Sequence, residues 1–440
     1  MPKLLLIQSS QYGLKAGLIK QKKLYLPGLV FPLLAAMLPE TWEVEIRIEV
    51  IDEVDFDTDA DLVGIGAMGH ALFRAFDLAR EFRKRGKIVF MGGYMASMVP
   101  EMVLEVADSV VIGDAEISFQ KLISDFERSG RIDRIYNNPV TSLAGLPLPR
   151  YELLAEKKIG DMLPVQAGRG CNHQCSFCSI ACLYKGRYIQ RPVDEVIRDI
   201  EKIKSLGFRK FYIIDDNLVN NQDYLEELCK KIAPLKMKWS SQCTMDLARN
   251  EPLLKLAARS GCEILSLGIE SITQEGLEKL NKKWLRVDDH YRLIRAFNSA
   301  GIMVSAEMII GTDSDTEETL KATWDFISRA KLPLARIYIL TPIPATKFYL
   351  ELKAAGRLIH ENFESYTAAE CVHYPEKISP EKLTEMYNWL NKRLFSLNGI
   401  LKRTLLSRLL VTNPGNCLFA FAVNLHYRSY VRRGETPLIV

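Results

Sequence analysis

Cys171, Cys175 and Cys178 stand in the stretch GRGCNHQCSFCSI (residues 168–180) with the spacing C-x3-C-x2-C. Thiolates spaced this way on one loop can ligate three corners of an iron–sulfur cluster. The fourth iron is then free to take a substrate or cofactor. Gly168 and Gly170 allow the loop to fold tightly, and Phe177 can shield the cluster from water. A zinc site is the alternative. It takes four ligands, and His173 or Cys182 would have to supply the fourth. Cys182 is expected on a following helix in a structural role.

The other cysteines support a metal site over a disulfide framework. The chain has 440 residues and nine cysteines, none of them before Cys171. Cys229, Cys243, Cys262, Cys371 and Cys417 are scattered, whereas a disulfide framework is spread out and even in number. The composition, 48% hydrophobic and 25% charged, is that of an ordinary soluble protein. A net charge of +4 is too small to argue for nucleic acid. The opening run MPKLLLIQSS is too short for a signal segment and reads as a buried strand. No run approaches the length of a membrane span, so the expected location is the cytoplasm, where thiols stay reduced.

The elements that must position the loop alternate as strand and helix. KLLLIQ, VEIRIEVI, DLVGIGAM, KIVFMGG and DSVVIGD read as strands, with helices such as ALFRAFDLAREFRKRG and ISFQKLISDFERSG between them. Short apolar strands in this order predict an α/β fold with a parallel sheet covered on both faces. A linker rich in Pro, Asn and Gly follows. A second series then begins with LPVQAG and continues through KFYIIDD, KWSSQCTM, ILSLGIE, MVSAEMIIG and ARIYILTP. Six such units suit an open, partial (β/α)6 barrel. The expected domains are residues 1–135, a linker at 136–160, the barrel at 161–345 and a helical region at 346–440.

Polar residues gather at the expected carboxyl ends of the barrel strands, where parallel sheets bind ligands. Asp215, Asp216 and Asn217 end one strand, and Gly268, Glu270 and Ser271 end another. Asp and Asn also cap helices well, which is the bland explanation for the first group. A buried Glu without a partner is costly, so Glu270 should have one.

With its cysteine motif, Phe177 and six β/α units, the chain resembles the radical S-adenosylmethionine (SAM) superfamily. The resemblance implies a 4Fe–4S cluster whose free iron binds the amino acid part of SAM. An electron from the cluster breaks SAM, and a deoxyadenosyl radical takes hydrogen from the substrate. It places Asp215, Asp216 and Asn217 at the SAM amino group, and Glu270 and Ser271 at its ribose or carboxylate, with Gly268 allowing close approach. LTPIPAT, which begins with Leu340 and Thr341, would approach the adenine by its backbone. Ala345 stands where relatives usually have Gly. The electron implies an external donor such as flavodoxin or ferredoxin.

Over nearly the whole chain the resemblance narrows to the cobalamin-dependent group containing hopanoid C-methylases and the anaerobic magnesium-protoporphyrin ester cyclase. GGYMASMVPEMV and VVIGDAEISFQKLI resemble elements of that group's Rossmann-like cobalamin-binding domain. The resemblance places Gly92, Gly93, Met95 and Gly113 where a corrin ring lies on the sheet edge. The motif D-x-H-x-x-G is absent, Met95 replaces a frequent His, and Asp114 replaces a usual Glu. A histidine ligand below the cobalt is therefore not expected, although His70 in AMGHAL is a candidate to face the ring. A methylthiotransferase would need an N-terminal cysteine set, which this chain lacks.

Residues 386–434 contain no acid and carry Lys392, Arg393, Lys402, Arg403, Arg408, Arg428, Arg432 and Arg433 among apolar runs. Such a segment can lie peripherally on an anionic membrane. It can equally be a helical cap with a solvated basic face. The leading functional expectation is cobalamin-dependent C-methylation of an unactivated carbon on an apolar small molecule, lipid, isoprenoid or tetrapyrrole-like. The alternative is oxidative cyclisation, oxygenation or carbon–carbon rearrangement without methyl transfer. A nucleic-acid-binding module is disfavoured by the ordered β/α units and the low net charge.

Overall fold

Leu4, Leu5, Leu6 and Ile7 are all almost fully buried, as expected of a strand covered on both faces. They belong to β1 (Lys3–Gln8), which lies in a parallel sheet with β2 (Glu43–Ile48), β3 (Leu62–Gly66), β4 (Ile88–Gly92), β5 (Ser109–Val111) and β6 (Ile135–Tyr136). The strand order is β2-β1-β3-β4-β5-β6. The direction of winding switches between β1 and β3, and the carboxyl ends beside such a switch are where open α/β sheets bind ligands. The helix Ala71–Lys84 buries Leu72, Ala75, Phe76, Ala79 and Phe82. That spacing gives one apolar stripe against the sheet.

The computed structural model describes residues 1–13 and 17–434. The chain divides into two units. One is Met1–Gln166 with Ile189–Arg209, and the other is Ala167–Tyr188 with the described residues from Lys210 to Gly434. In the first unit, residues 136–160 are largely irregular but packed: Val140, Leu143 and Leu146 bury themselves with Leu33. The strand β7 (Met162–Gln166) ends this stretch.

The second unit holds the cysteine loop. It carries the short strand β8 (Gly168–Gly170), and after β9 (Tyr188–Gln190), which falls at the division between the units in the chain, come β10 (Lys210–Ile214), β11 (Lys238–Cys243), β12 (Cys262–Glu270), β13 (Met303–Ile310) and β14 (Leu334–Ile339). From β10 to β14 each strand pairs in parallel with the next, forming a partial barrel. On β12, Leu265, Leu267 and Ile269 are fully buried, while Ser266 and Gly268 between them are not. One face is therefore packed under helices and the other lines the open side. On that open face Arg336 Nε donates to Glu307 Oε1 at 2.9 Å, and Ser266 Oγ donates to the same atom at 2.7 Å. The barrel wall is polar there, which the strand pattern did not announce.

The basic tail folds into helices Leu397–Arg403, Leu409–Thr412 and Pro414–Arg432. They close the amino-terminal ends of the barrel strands, opposite the ends that carry the cysteine loop. Asn416 Nδ2 donates to Glu263 O at 2.9 Å, and Asn413 Nδ2 to Gly301 O at 3.1 Å. Leu409, Cys417 and Ala420 pack around Met303 at the start of β13. Arg403 corrects the expectation of a wholly solvated basic face, because it is 0% exposed. Its guanidinium donates to the carbonyls of Leu332, Pro333 and Leu394 and to Asn424 Oδ1. A planar fork with several donors can satisfy such a ring of acceptors. Arg428 is also engaged, donating to Phe395 O at 2.9 Å. Among the described residues, no helix is long and apolar enough to cross a membrane.

Candidate active site

The cysteine loop starts at β8, where both glycines are required. A Cβ on Gly168 would lie 2.4 Å from Asp215 Oδ2, and one on Gly170, at φ +83°, would lie 2.1 Å from Arg187 O. The close approach of Gly168 brings Asp215 against the loop. Asp215 is buried, accepts from Tyr188 OH at 2.8 Å, and accepts from the Asn217 N–H at 2.9 Å. Burial pushes its carboxyl up to about 7, against the pull of those two donors. Asp216 Oδ2 accepts the Gly170 N–H at 2.7 Å, next to Cys171. Asn217 bonds Asn220 and the Thr244 N–H. These three residues thus shape the loop's base, in addition to any contact with a ligand.

All three loop cysteines are free thiols. Burial pushes each of them up, Cys175 to about 12. Opposing this, the Cys178 sulfur takes backbone N–H groups of Ala181 and Ile180, at the start of helix Ser179–Tyr184. At Cys171 the His173 backbone and the Asn220 side chain likewise favour the thiolate against burial. Amide donors aimed at sulfur suit anionic thiolates, and metal coordination deprotonates such thiols outright. Among the described residues, no three His, Cys, Asp or Glu side chains converge on a point that one metal ion would fill. Thiolates of a cubane bind separate irons, so convergence is not required of them. The proposed fourth zinc ligands are otherwise engaged. His173 stacks on Trp284 with centroids 3.7 Å apart, and Cys182, on its helix, donates to Ala345 O at 3.3 Å. The donor set therefore fits an iron–sulfur cluster.

At the end of β12 the register with β13 shifts between Gly268 and Glu270. Glu270 adopts φ +62°, a left-handed conformation costly for a residue with a Cβ. Its carboxylate is buried and takes Lys282 Nζ at 2.6 Å. Lys282 is the residue that sequence reading missed. It sits in the run LNKKWLR, beside another lysine, with nothing local to mark it. Ser271 turns its hydroxyl toward Thr273 at the start of helix Gln274–Lys279. Thr341 Oγ1 donates to Ile339 O at 2.9 Å. Ala345 has φ +63°, which is the physical reason a glycine suits that position.

In the first unit, Gly92 ends β4, Gly93 and Met95 follow it, and Gly113 follows β5. Gly93 has φ +107°, and a Cβ there would sit 2.9 Å from Ala67 O. Ser97 Oγ bonds Gly93 O and the Gly113 N–H. Met95 is buried. His70 precedes the helix Ala71–Lys84, its ring 6.0 Å from that of Phe73. A Cβ on Gly113 would meet open space, so this edge of small residues fits a flat ring.

Residues 165–327 match the model of the radical SAM superfamily. This stretch is a radical SAM domain. Bacteriochlorophyllide d C-12(1)-methyltransferase of Chlorobaculum tepidum is 27% identical to the protein over 354 residues, covering 78% of this chain and 76% of that one. Hopanoid C-2 methylase of Rhodopseudomonas palustris is 27% identical over 353 residues, covering 77% and 66%. The radical SAM methyltransferase TsrM of Kitasatospora setae, solved with cobalamin and a 4Fe–4S cluster bound, superposes with a TM-score of 0.66 at 18% identity. The match covers 81% of this enzyme and 78% of TsrM. At that identity the likeness is one of fold.

Proposed function

We propose that the enzyme is a cobalamin-dependent radical SAM C-methyltransferase that acts on an unactivated carbon of a largely apolar small molecule. The observation that carries this is one chain joining two ligand-ready sheet ends. In the radical SAM domain a three-thiol loop is clamped by buried groups. In the other unit a parallel sheet presents a glycine-rich edge. Relatives named as methyltransferases align across most of the chain.

When bound, the 4Fe–4S cluster with SAM supplies a hydrogen-abstracting radical, and cobalamin supplies a methyl carrier. Cys171, Cys175 and Cys178 would hold the cluster. Asp216 fixes the loop's entry through Gly170, and Asp215 fixes it through Tyr188. Glu270, Ser271 and Thr341 lie at strand ends where SAM would be received. Gly92, Gly93 and Gly113 would carry the corrin ring. The polar pair of Arg336 and Glu307 on the barrel's open face suits a substrate whose apolar body carries at least one hydrogen-bonding group. An external one-electron donor of the flavodoxin or ferredoxin type is the partner this chemistry needs. Peripheral contact with an anionic bilayer is proposed for the exposed part of the tail, narrowed to Lys402 and Arg408 with Leu406 and Val411.

Anaerobic incubation of reconstituted enzyme with SAM, cobalamin, a reductant and a pooled lipid and pigment extract tests the reading. Mass spectrometry should find an added methyl group on one extract component. Consumption of SAM with a product changed in mass by loss of hydrogen would replace methylation with oxidative chemistry.

A further inference from the structure

We propose that Lys282 is a positioning residue for the iron–sulfur cluster, a buried ammonium fixed by Glu270 beside the cysteine loop that favours the cluster's reduced form. The proposal rests on the reading of Cys171, Cys175 and Cys178 as cluster ligands. It starts from the way the segment 279–284 grips the loop. The Ser176 N–H donates to Leu280 O at 3.3 Å, and Ser176 Oγ to Lys279 O at 3.4 Å. Asn281 Nδ2 donates to Gln174 O at 2.5 Å, and Trp284 stacks on His173. Backbone, side chain and ring contacts thus alternate along both partners, and Lys282 is held in the middle of them.

The ammonium itself is placed tightly. Lys282 is 7% exposed, and its Nζ donates to Glu270 Oε1 at 2.6 Å and to Gly268 O at 3.4 Å. A Cβ on Gly268 would lie 2.8 Å from that nitrogen, so the strand end is cut to admit it. Burial opposes the charged amine, and the Glu270 carboxylate at 2.6 Å supports it as one half of a buried ion pair. The contacts at Gln174 and Ser176 flank Cys175 on both sides, so the segment that carries this ammonium is packed directly on the ligand loop. Three thiolates bring negative charge into a partly buried site, and one-electron reduction adds more. A fixed cation at this place stabilises the reduced form relative to the oxidised one.

The test uses the full chain, reconstituted anaerobically with iron and sulfide, as wild type, Lys282→Gln, Lys282→Arg and the double variant Lys282→Met with Glu270→Gln. Iron and sulfide content is measured first, then the cluster is titrated by electron paramagnetic resonance. Lys282→Gln should keep its iron and shift the reduction equilibrium at least tenfold against the reduced form, about 59 mV for one electron. Lys282→Arg should stay within threefold of wild type. The double variant, which removes both charges, should shift in the same direction by less. A wild-type potential in iron-loaded Lys282→Gln overturns the proposal. Should that variant lose its iron, an unshifted double variant overturns it instead. Wild-type protein that binds no iron would sink the cluster reading itself, a separate outcome.

Discussion

Replacing Arg403 with Gln should destabilise the radical SAM unit strongly. Wild-type Arg403 is fully buried and donates to four acceptors: Leu332 O at 3.0 Å, Pro333 O at 3.1 Å, Leu394 O at 2.7 Å and Asn424 Oδ1 at 2.9 Å. No carboxylate is among these partners, and burial lowers its pKa to about 9. The charge is therefore held by carbonyl dipoles alone. Gln offers two donors on a shorter stem, so at least two acceptors lose their partner. An unsatisfied buried acceptor costs about 1–3 kcal/mol, which puts the expected loss at about 3–5 kcal/mol after partial hydration. Lys restores charge without the planar fork and should recover only part of it. Denaturant unfolding followed by tryptophan fluorescence measures this, with Lys402→Gln as the exposed control within about 0.5 kcal/mol of wild type. A loss below 1 kcal/mol for Arg403→Gln would refute the claim that this side chain ties the tail to the strand ends.

Alanine at Cys171, Cys175 or Cys178 should abolish iron binding and SAM cleavage, whereas Cys182→Ala should spare both; iron and sulfide analysis reads the difference. Asp215→Asn should change the pH profile of stability. The native carboxyl titrates at about 7, well above its ordinary value, so between about pH 4 and 7 the folded chain holds a proton the unfolded chain has lost. Stability falls as pH rises through that window, by at most about 4 kcal/mol. The variant should therefore melt higher than wild type at pH 8, with the gap closing toward pH 4, and a constant gap counts against the assignment. Co-sedimentation with anionic vesicles at low salt should weaken in the double variant Lys402→Gln, Arg408→Gln and in Val411→Asp. Equal binding to neutral vesicles would remove the electrostatic part of that reading.

The alternation of strand and helix was legible because it depends on local periodicity. KLLLIQ marks β1 residue for residue, and the five barrel strands from β10 to β14 fall within the runs read for them, give or take a few residues. The cysteine loop was legible because its spacing is local too. What escaped depends on residues brought together by folding. Lys282 meets Glu270 across a helix and a turn. Arg403 meets carbonyls about 70 residues earlier in the chain. Neither has a sequence signature, since Lys and Arg in a charged run are usually solvated. The left-handed backbone at Glu270 was hidden because Glu, unlike Gly or Asn, does not advertise positive φ. Ala345 is the reverse case. Its departure from the usual glycine was visible in the sequence, and the structure supplies the meaning: the chain needs a left-handed residue there and pays its conformational cost with Ala.

The position of the tail separates two ideas that the sequence had joined. A basic, partly apolar surface suggested both a bilayer contact and a substrate drawn from the bilayer. In the folded unit the tail covers the amino ends of β12, β13 and β14 through Asn416, Asn413 and Met303. The thiol loop, Glu270 and Lys282 belong to the opposite ends of the same sheet. A surface built from Lys402, Leu406, Arg408 and Val411 that lies on a membrane would leave the carboxyl ends of these strands facing away from it. Bilayer contact through the tail and direct entry of a lipid at the strand mouth are therefore independent claims. Vesicle binding by the tail would locate the enzyme without identifying its substrate. Under the proposed function the substrate is constrained instead by what lines the barrel's open face, where the bonded group of Arg336, Glu307 and Ser266 suits a substrate with at least one hydrogen-bonding group.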